Sequence, residues 1–256
     1  MMDSSIPAPS PGATRSPGLV VALFGVAAVV WALAAVHARG MGAMVGTMRL
    51  ELPAFAGMWA LMMTAMMLPS VAPVALRYAR MVVRPKRVRI AAFVAGYVGV
   101  WAASALPAYG LMALGDQAES AGPPFATAAA SAILAACGAY QLTPLKDRCL
   151  TVCRSPLGWL LRYAGWHGRL RDLRAGAHHG GYCLACCWAL MALMAVFGAM
   201  SLVAMVALMG IVAIEKLAPA GERVARGCGV VALGLAVAVW WLPGLAPGLH
   251  PPEMMM

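Results

Sequence analysis

The chain has 256 residues, of which 62% are hydrophobic and only 11% are charged, and its mean hydropathy is +0.80. Soluble proteins carry charges on roughly a quarter of their residues, so this composition excludes an ordinary soluble domain. The net charge is +10, but the basic residues lie between apolar runs, where they set membrane topology and do not indicate binding to nucleic acid.

Six apolar runs are each long enough to form a membrane-spanning helix, which needs about 20 residues. We therefore predict an all-α, polytopic transmembrane helical bundle that forms a single domain over residues 18–242. A Ser/Pro-rich disordered tail (1–17) precedes the bundle, and a Pro/Met tail (243–256) follows it. The predicted spans lie at about 18–37, 52–76, 90–114, 124–145, 182–215 and 224–242.

Two connections between these spans are basic. Residues 77–89 contain six Lys or Arg and no acid, and residues 146–181 are also rich in Arg, with a predicted amphipathic interfacial helix over 156–174. The positive-inside rule places both connections in the cytoplasm. Six passages through a bacterial inner membrane would then leave both termini cytoplasmic.

The fifth run, 182–215, has no charged residue before Glu215. At 1.5 Å per residue it is longer than a bilayer requires, yet too short for two full spans and a turn. We therefore predict one long helix that is tilted or kinked at Gly198.

Five cysteines border the second basic connection, namely Cys149, Cys153, Cys183, Cys186 and Cys187. The pairs 149/153 and 183/187 have i, i+4 spacing, so on helices each pair lies on one face and can converge on one ion. Thiolates are soft ligands that select Cu(I), zinc or iron–sulfur clusters. The reducing cytoplasm favours metal ligation over a disulfide, and an odd total of seven cysteines points the same way.

Methionine is over-represented, with 20 residues, and much of it has helical spacing. Met58, Met62 and Met66 share one face of the second span, while Met191 and Met194 continue the line of Cys183 and Cys187. Thioethers join thiolates as ligands chiefly for Cu(I), so we predict a Met stripe beside the thiols. The alternative is that these flexible side chains simply fill an irregular core. On the predicted long helix, the stripe also includes Gly198, Ser201, Met205 and Met209.

Other polar and sulfur-containing residues have simpler interpretations. Cys137 and Cys228 stand alone in small-residue spans and are typical of packing. His178 and His179 fit a solvated loop pair, with ligation as the alternative. Glu215 and Lys216 fit either boundary charges in the headgroups or a way-station for a proton or cation.

The methionine-rich second span, the cysteine segments and Glu215-Lys216 resemble the bacterial predicted metal-binding integral membrane protein family, domain of unknown function 2182. The resemblance implies metal binding and copper handling. Ala185 and Ser201 depart from the family pattern, which has Gly and Asn there. The matching pieces are Met58-Trp59, Ala65 through Pro69, Tyr140-Gln141, Pro144-Leu145-Lys146, Cys149-Leu150, Cys153-Arg154, Cys183 through Met191, Gly198-Ala199-Met200 and Glu215-Lys216.

The sequence therefore predicts a membrane protein that handles Cu(I) by binding, delivery or transport, with zinc as the second choice of metal. Its expected partners are the lipid bilayer and a metal donor or acceptor protein, and we expect no nucleic acid. We predict no catalytic residue. A thiol-disulfide oxidoreductase that uses Cys183/Cys186 or Cys186/Cys187 is the alternative, as is an assembly subunit of a larger metalloenzyme.

Overall fold

The computed structural model of the protein describes residues 17–41, 46–47, 50–82, 85–155 and 157–250. Throughout these ranges the regular structure is helical, which confirms the predicted all-α class. The predicted N-terminal tail, apart from residue 17, and the last six residues of the predicted C-terminal tail lie outside the described ranges.

Eleven α-helices and one 3-10 turn make up the described part of the chain. In chain order they are α1 (Pro17–Met41), α2 (Leu52–Met81), α3 (Lys86–Ala103), α4 (Ala105–Ser120), α5 (Pro123–Gln141), α6 (Pro144–Arg154), α7 (Leu157–Ala164), α8 (Arg171–Ala192), α9 (Met194–Phe197), α10 (Leu202–Leu217), α11 (Gly221–Ala238) and the turn Pro243–Leu245.

Four helical segments are long and apolar enough to cross a membrane, and they are Leu52–Met81, Lys86–Ser120, Pro123–Gln141 and Arg171–Phe197. The second segment joins α3 and α4 at Ser104, and the fourth joins α8 and α9. Helix α1 contains a shorter apolar stretch, Val21–Val36. The structure thus agrees with a polytopic membrane protein, while the count of six spans stays a prediction.

The predicted single long helix over 182–215 is wrong, because the chain reverses direction inside it. Helix α9 ends at Phe197, Gly198 adopts a left-handed φ of 93°, and the Ser201 hydroxyl caps α10 by accepting a bond from the Ala204 N–H at 3.3 Å. The ammonium of Lys216 then lies 3.0 Å from the Cys183 sulfur. In a continuous helix, 33 residues would separate these groups by about 50 Å. Helices α8–α9 and α10 therefore form a hairpin.

Helix α8 also begins earlier than predicted. It starts at Arg171 and not near residue 182, so the last part of the predicted loop forms its first three turns. Those turns pack closely on α3. A methyl group added at Gly96 or Gly176 would collide with the backbone carbonyl of Leu173 or Phe93, respectively, so glycine is what allows this approach.

A polar cluster fastens the start of α8 to α2 and α3. The Arg89 guanidinium donates to the two Asp172 carboxylate oxygens at 2.9–3.1 Å, and the Tyr78 hydroxyl donates to the same carboxylate. Further along, the Tyr97 hydroxyl donates to the Met67 carbonyl and contacts Cys183. Tyr78 thus pairs with Asp172, and Tyr97 links Met67 to Cys183. Because a higher residue number on α2 lies beside a lower one on α8, the two helices are antiparallel.

Residues 243–250, part of the predicted C-terminal tail, pack against the hairpin tip. The Gly248 N–H donates to the Val196 carbonyl at 2.8 Å, and His250 lies 3.2 Å from the Thr127 hydroxyl at the start of α5. The end of α5, at Gln141, lies instead beside the basic connection. Residue 250 and that connection therefore lie at opposite ends of the bundle. The placement of the termini relative to the membrane stays a prediction.

Candidate metal-binding site

Four thiols from two helices meet at the base of the hairpin, and we call them the thiol cluster: Cys153 on α6 and Cys183, Cys186 and Cys187 on α8. The sulfurs of Cys153 and Cys186 are 3.7 Å apart, and those of Cys186 and Cys187 are 3.2 Å apart. The Cys186 thiol also donates to the Cys183 carbonyl at 3.2 Å. All seven cysteines of the chain are free thiols.

Helix α6 brings Cys153 to this cluster. Thr143 caps the helix by accepting the Lys146 N–H at 3.2 Å, and Pro144 occupies the first turn, where its missing N–H costs nothing. Cys149 lies one turn earlier, buried, and makes none of the sulfur contacts among the described residues. The structure therefore unites Cys153, but not Cys149, with the cysteines of α8.

Lys216 brings a buried positive charge to the thiol cluster. Its ammonium donates to the Cys183 sulfur at 3.0 Å and to the Ser70 hydroxyl at 3.4 Å. The Tyr97 hydroxyl approaches the same sulfur at 3.0 Å. A cation in contact with sulfur favours the thiolate over the thiol. Sequence reasoning paired Lys216 with Glu215 and missed both Tyr97 and this contact, although a lysine in an apolar helix is itself a signal of function.

Glu215 turns away from Lys216 and forms a buried ion pair with Lys146. The ammonium of Lys146 donates to Glu215 Oε2 at 2.7 Å and to the Cys186 carbonyl at 2.6 Å, while Gln141 donates to Glu215 Oε1 at 2.8 Å. Burial alone would lower the pKa of Lys146, but the Glu215 charge raises it above its ordinary value. This pair fixes the end of α10 against α6 and so holds Lys216 at the cluster.

The sequence model of the PpoB2 copper chaperone family matches residues 56–239, nearly three-quarters of the chain. The chain belongs to this family. The matched region contains the whole thiol cluster together with Lys146, Glu215 and Lys216. Membership of the PpoB2 copper chaperone family confirms the predicted link to copper, and it does not test the narrower resemblance to domain of unknown function 2182. No curated protein and no solved structure matches the chain.

In this PpoB2-family chain all five predicted methionine ligands are buried. Met58, Met62 and Met66 face the core from α2, and Met191 and Met194 do so from α8–α9. Counted along the helix axis, the last two lie about 12 and about 16 Å beyond Cys183. Their role as ligands stays a prediction.

The two histidines before the cysteines do not join the thiol cluster. His179 is buried, with its ring stacked 6.3 Å from that of Phe93 and 6.1 Å from that of Tyr97. His178 lies with its Nδ1 2.9 Å from the Tyr163 hydroxyl. Both are held by aromatic neighbours, so the predicted solvated pair on a loop is wrong: residues 178 and 179 lie within α8.

The thiols are close together, but their sulfurs still have to move to hold an ion. Within the described ranges, no group of three or more Cys, His, Asp or Glu side chains already has metal-binding geometry. Two sulfurs bound at about 2.3 Å are roughly 3.8 Å apart in a tetrahedral site and roughly 4.6 Å apart in a linear one. The 3.7 Å separation of Cys153 and Cys186 is near the first value. The 3.2 Å between the Cys186 and Cys187 sulfurs is shorter than either value, so these two sulfurs would have to move apart.

Proposed function

We propose that this member of the PpoB2 copper chaperone family is an inner-membrane protein that receives Cu(I) at the thiol cluster and passes it to an acceptor protein. The observation that carries the proposal is the contact of buried Lys216 with Cys183, one of four clustered thiols. The resemblance to the predicted metal-binding membrane family of unknown function 2182 supports the same role. The basic connections, on the cytoplasmic side in this proposal, place the cluster where thiols stay reduced.

Charge explains why Cu(I) fits this site better than Zn²⁺. Cu(I) held by two thiolates has a net charge of −1, and the Lys216 ammonium would neutralise it. Zn²⁺ held by four thiolates has a net charge of −2, which a single lysine leaves half compensated. In a buried site an uncompensated charge is costly, so the lysine favours the monovalent ion. Copper is the cargo here, so binding has to be reversible.

Exposure orders the thiols along a transfer path. Cys153 is partly exposed, whereas Cys183, Cys186 and Cys187 are almost fully buried. In the proposed sequence Cu(I) first binds the Cys153 thiolate in exchange for a donor ligand. The Cys186 thiolate, 3.7 Å away, then adds to the ion as the donor leaves. Each cysteine that binds as a neutral thiol releases one proton, and no electron is transferred.

In this proposal the buried methionines provide a second, weaker station. Met62 and Met66 are buried on α2, and Met191 and Met194 are buried farther along α8–α9 than Cys183. Neutral thioethers bind Cu(I) without adding charge. An ion that leaves the thiols toward the membrane interior would therefore meet soft ligands and not bare hydrocarbon.

The experiment compares Cu(I) binding by full-length protein, purified without oxygen in lipid nanodiscs, with that of two double variants. Cys183→Ser/Cys186→Ser removes two thiols of the cluster, whereas Cys137→Ser/Cys228→Ser removes two thiols elsewhere. Titration against a coloured Cu(I) chelator gives stoichiometry and affinity. We expect tight, stoichiometric Cu(I) in the parent protein and the control, and its loss in the cluster variant.

Lys216→Met tests the charge argument separately. Groups that support metal ligands without binding the metal typically contribute 10- to 100-fold in affinity, so we expect a loss of that size for Cu(I). The preference for Cu(I) over Zn²⁺ should fall as well. The proposal is overturned if the cluster variant keeps stoichiometric copper, or if the parent binds no copper while Cys186 and Cys187 cycle between dithiol and disulfide. Thermal melting of each variant shows that it is folded.

A further inference from the structure

A cleft of about 870 Å³ lies between α1, α2 and α3, far from the thiol cluster. Helix α1 packs mainly on α2, and the cleft separates it from α3. Apolar side chains form its walls, with Leu19 and Leu23 on α1 facing Ile90 and Val94 on α3. Apolar residues line most of the cleft, and its charged residues are confined to one end, where α2 ends and α3 begins.

Three cations lie at that end, namely Arg80 at the end of α2 and Lys86 and Arg87 at the start of α3. Among the described residues no Asp or Glu lines the cleft, and Asp172, Glu215 and Asp147 pair with cations outside it. Three like charges close together repel one another unless an anion lies between them. The site is therefore complementary to a negatively charged ligand.

We propose that this cleft binds an anionic phospholipid, with its phosphate among Arg80, Lys86 and Arg87 and one acyl chain along the apolar wall. The inference rests on the membrane placement given under Proposed function. Basic pockets between membrane helices on the cytoplasmic side recognise such headgroups. The apolar wall separates this ligand from a free phosphate, which would use the cations alone.

The lipid would complete the packing of α1. Because α1 meets α2 along one side only, an acyl chain between α1 and α3 buries apolar surface that would otherwise contact bulk lipid. The bound lipid would also link α1 to α3, the helix whose Gly96 and Tyr97 pack on α8. The bound lipid should therefore be detectable both by its binding and by its effect on the thermal stability of the protein.

The test counts bound lipid by native mass spectrometry and measures its affinity for full-length protein. Phosphatidylglycerol is compared with phosphatidylcholine of the same acyl chains. Arg80→Gln/Lys86→Gln/Arg87→Gln removes the three cations, and Arg148→Gln/Arg169→Gln/Arg223→Gln removes the same charge from exposed positions outside the cleft. With each cation contributing roughly fivefold, we expect phosphatidylglycerol to bind the cleft variant roughly 100-fold more weakly than the control.

A second variant blocks the apolar part without changing charge. Ala91 is exposed to the cleft, so Ala91→Phe should displace the acyl chain and weaken binding while leaving the cations in place. Equal binding of phosphatidylglycerol to both triple variants overturns the inference. So does full protection against thermal unfolding by inorganic phosphate alone, which would make the site a phosphate site.

The result is separable from the proposed copper function. Both triple variants should bind Cu(I) as the parent does, since the thiol cluster lies elsewhere. Failure of the protein to float with vesicles would overturn the membrane placement itself. Flotation together with equal lipid binding by the two triple variants would overturn only the lipid inference.

Discussion

Replacing Lys146 by methionine removes one side of the buried ion pair and keeps the length of the side chain. Glu215, whose side chain is only 1% exposed, would then keep a single donor, the amide of Gln141 at 2.8 Å. The Cys186 carbonyl would also lose its lysine partner. A buried carboxylate that is left without its cation is poorly solvated, so the folded state loses stability.

Removal of one member of a buried ion pair typically costs about 3–5 kcal/mol, because the other charge stays behind. The Lys146 side chain is fully buried and makes two direct hydrogen bonds, so we expect Lys146→Met to cost an amount in this range. Lys146→Met/Glu215→Gln removes both charges and keeps a side chain that accepts from Gln141. It should recover most of the lost stability, since a buried pair can be replaced by neutral groups at little net cost.

The free energy of unfolding is measured in mixed micelles by tryptophan fluorescence as the denaturing detergent fraction rises. The two single variants, the double variant and the parent form a double-mutant cycle, with a coupling energy expected above about 2 kcal/mol. Additive effects would refute the reasoning, because they would mean that Lys146 and Glu215 do not depend on each other. Cu(I) affinity should fall in the single variants, as Lys216 loses its fixed position.

Three further predictions concern packing, the methionines and pH. Gly176→Ala should destabilise the protein by about 1–3 kcal/mol, because the added methyl group collides with a carbonyl of α3. The control, Gly181→Ala on the same helix, meets open space and should be neutral or slightly stabilising in the same unfolding assay. Met62→Leu/Met66→Leu should keep the thiol-bound Cu(I) and remove the weaker second equivalent in the chelator titration; loss of the first equivalent would contradict the proposed order of stations. The pKa of Lys146 in the folded protein lies above its ordinary value of 10.5. The stabilisation that the Lys146 charge provides is therefore complete below about pH 10.5 and disappears as the pH rises through the higher folded pKa. The melting temperature should decrease at alkaline pH, and this decrease should be smaller in Lys146→Met.

The helices and the soft ligands were predictable because they depend on local rules. Uninterrupted apolar length predicts buried helices, and i, i+4 spacing places Cys183 and Cys187 on one face. The reversal at Gly198 was not predictable from length. Residues 182–215 are too few for two full spans, but two shorter helices suffice when neighbouring helices bury their ends. The available sequence signals were a glycine at position 198 and a serine at position 201, and both also fit a kink.

Which polar residues meet at the site depends on that reversal. A continuous helix would place Lys216 far from Cys183, so no sequence argument based on one long helix can bring them together. The choice between Cys149 and Cys153 depends on how α6 is rotated against α8, which the Lys146–Glu215 pair and the Cys186 carbonyl determine. Such long-range contacts are absent from the local pattern of residues.

The hairpin also has a consequence for the order in which a ribosome delivers the parts of the site. All four thiols have been synthesised by residue 187, but the cation that faces them arrives 29 residues later, and the strap over the hairpin tip, residues 243–250, arrives last. Until α10 folds back against α8, the thiols lack the cation that faces them in the finished hairpin. The thiol cluster and Lys216 therefore come together only when the hairpin closes, so this step of folding, and not synthesis of the thiols, completes the site.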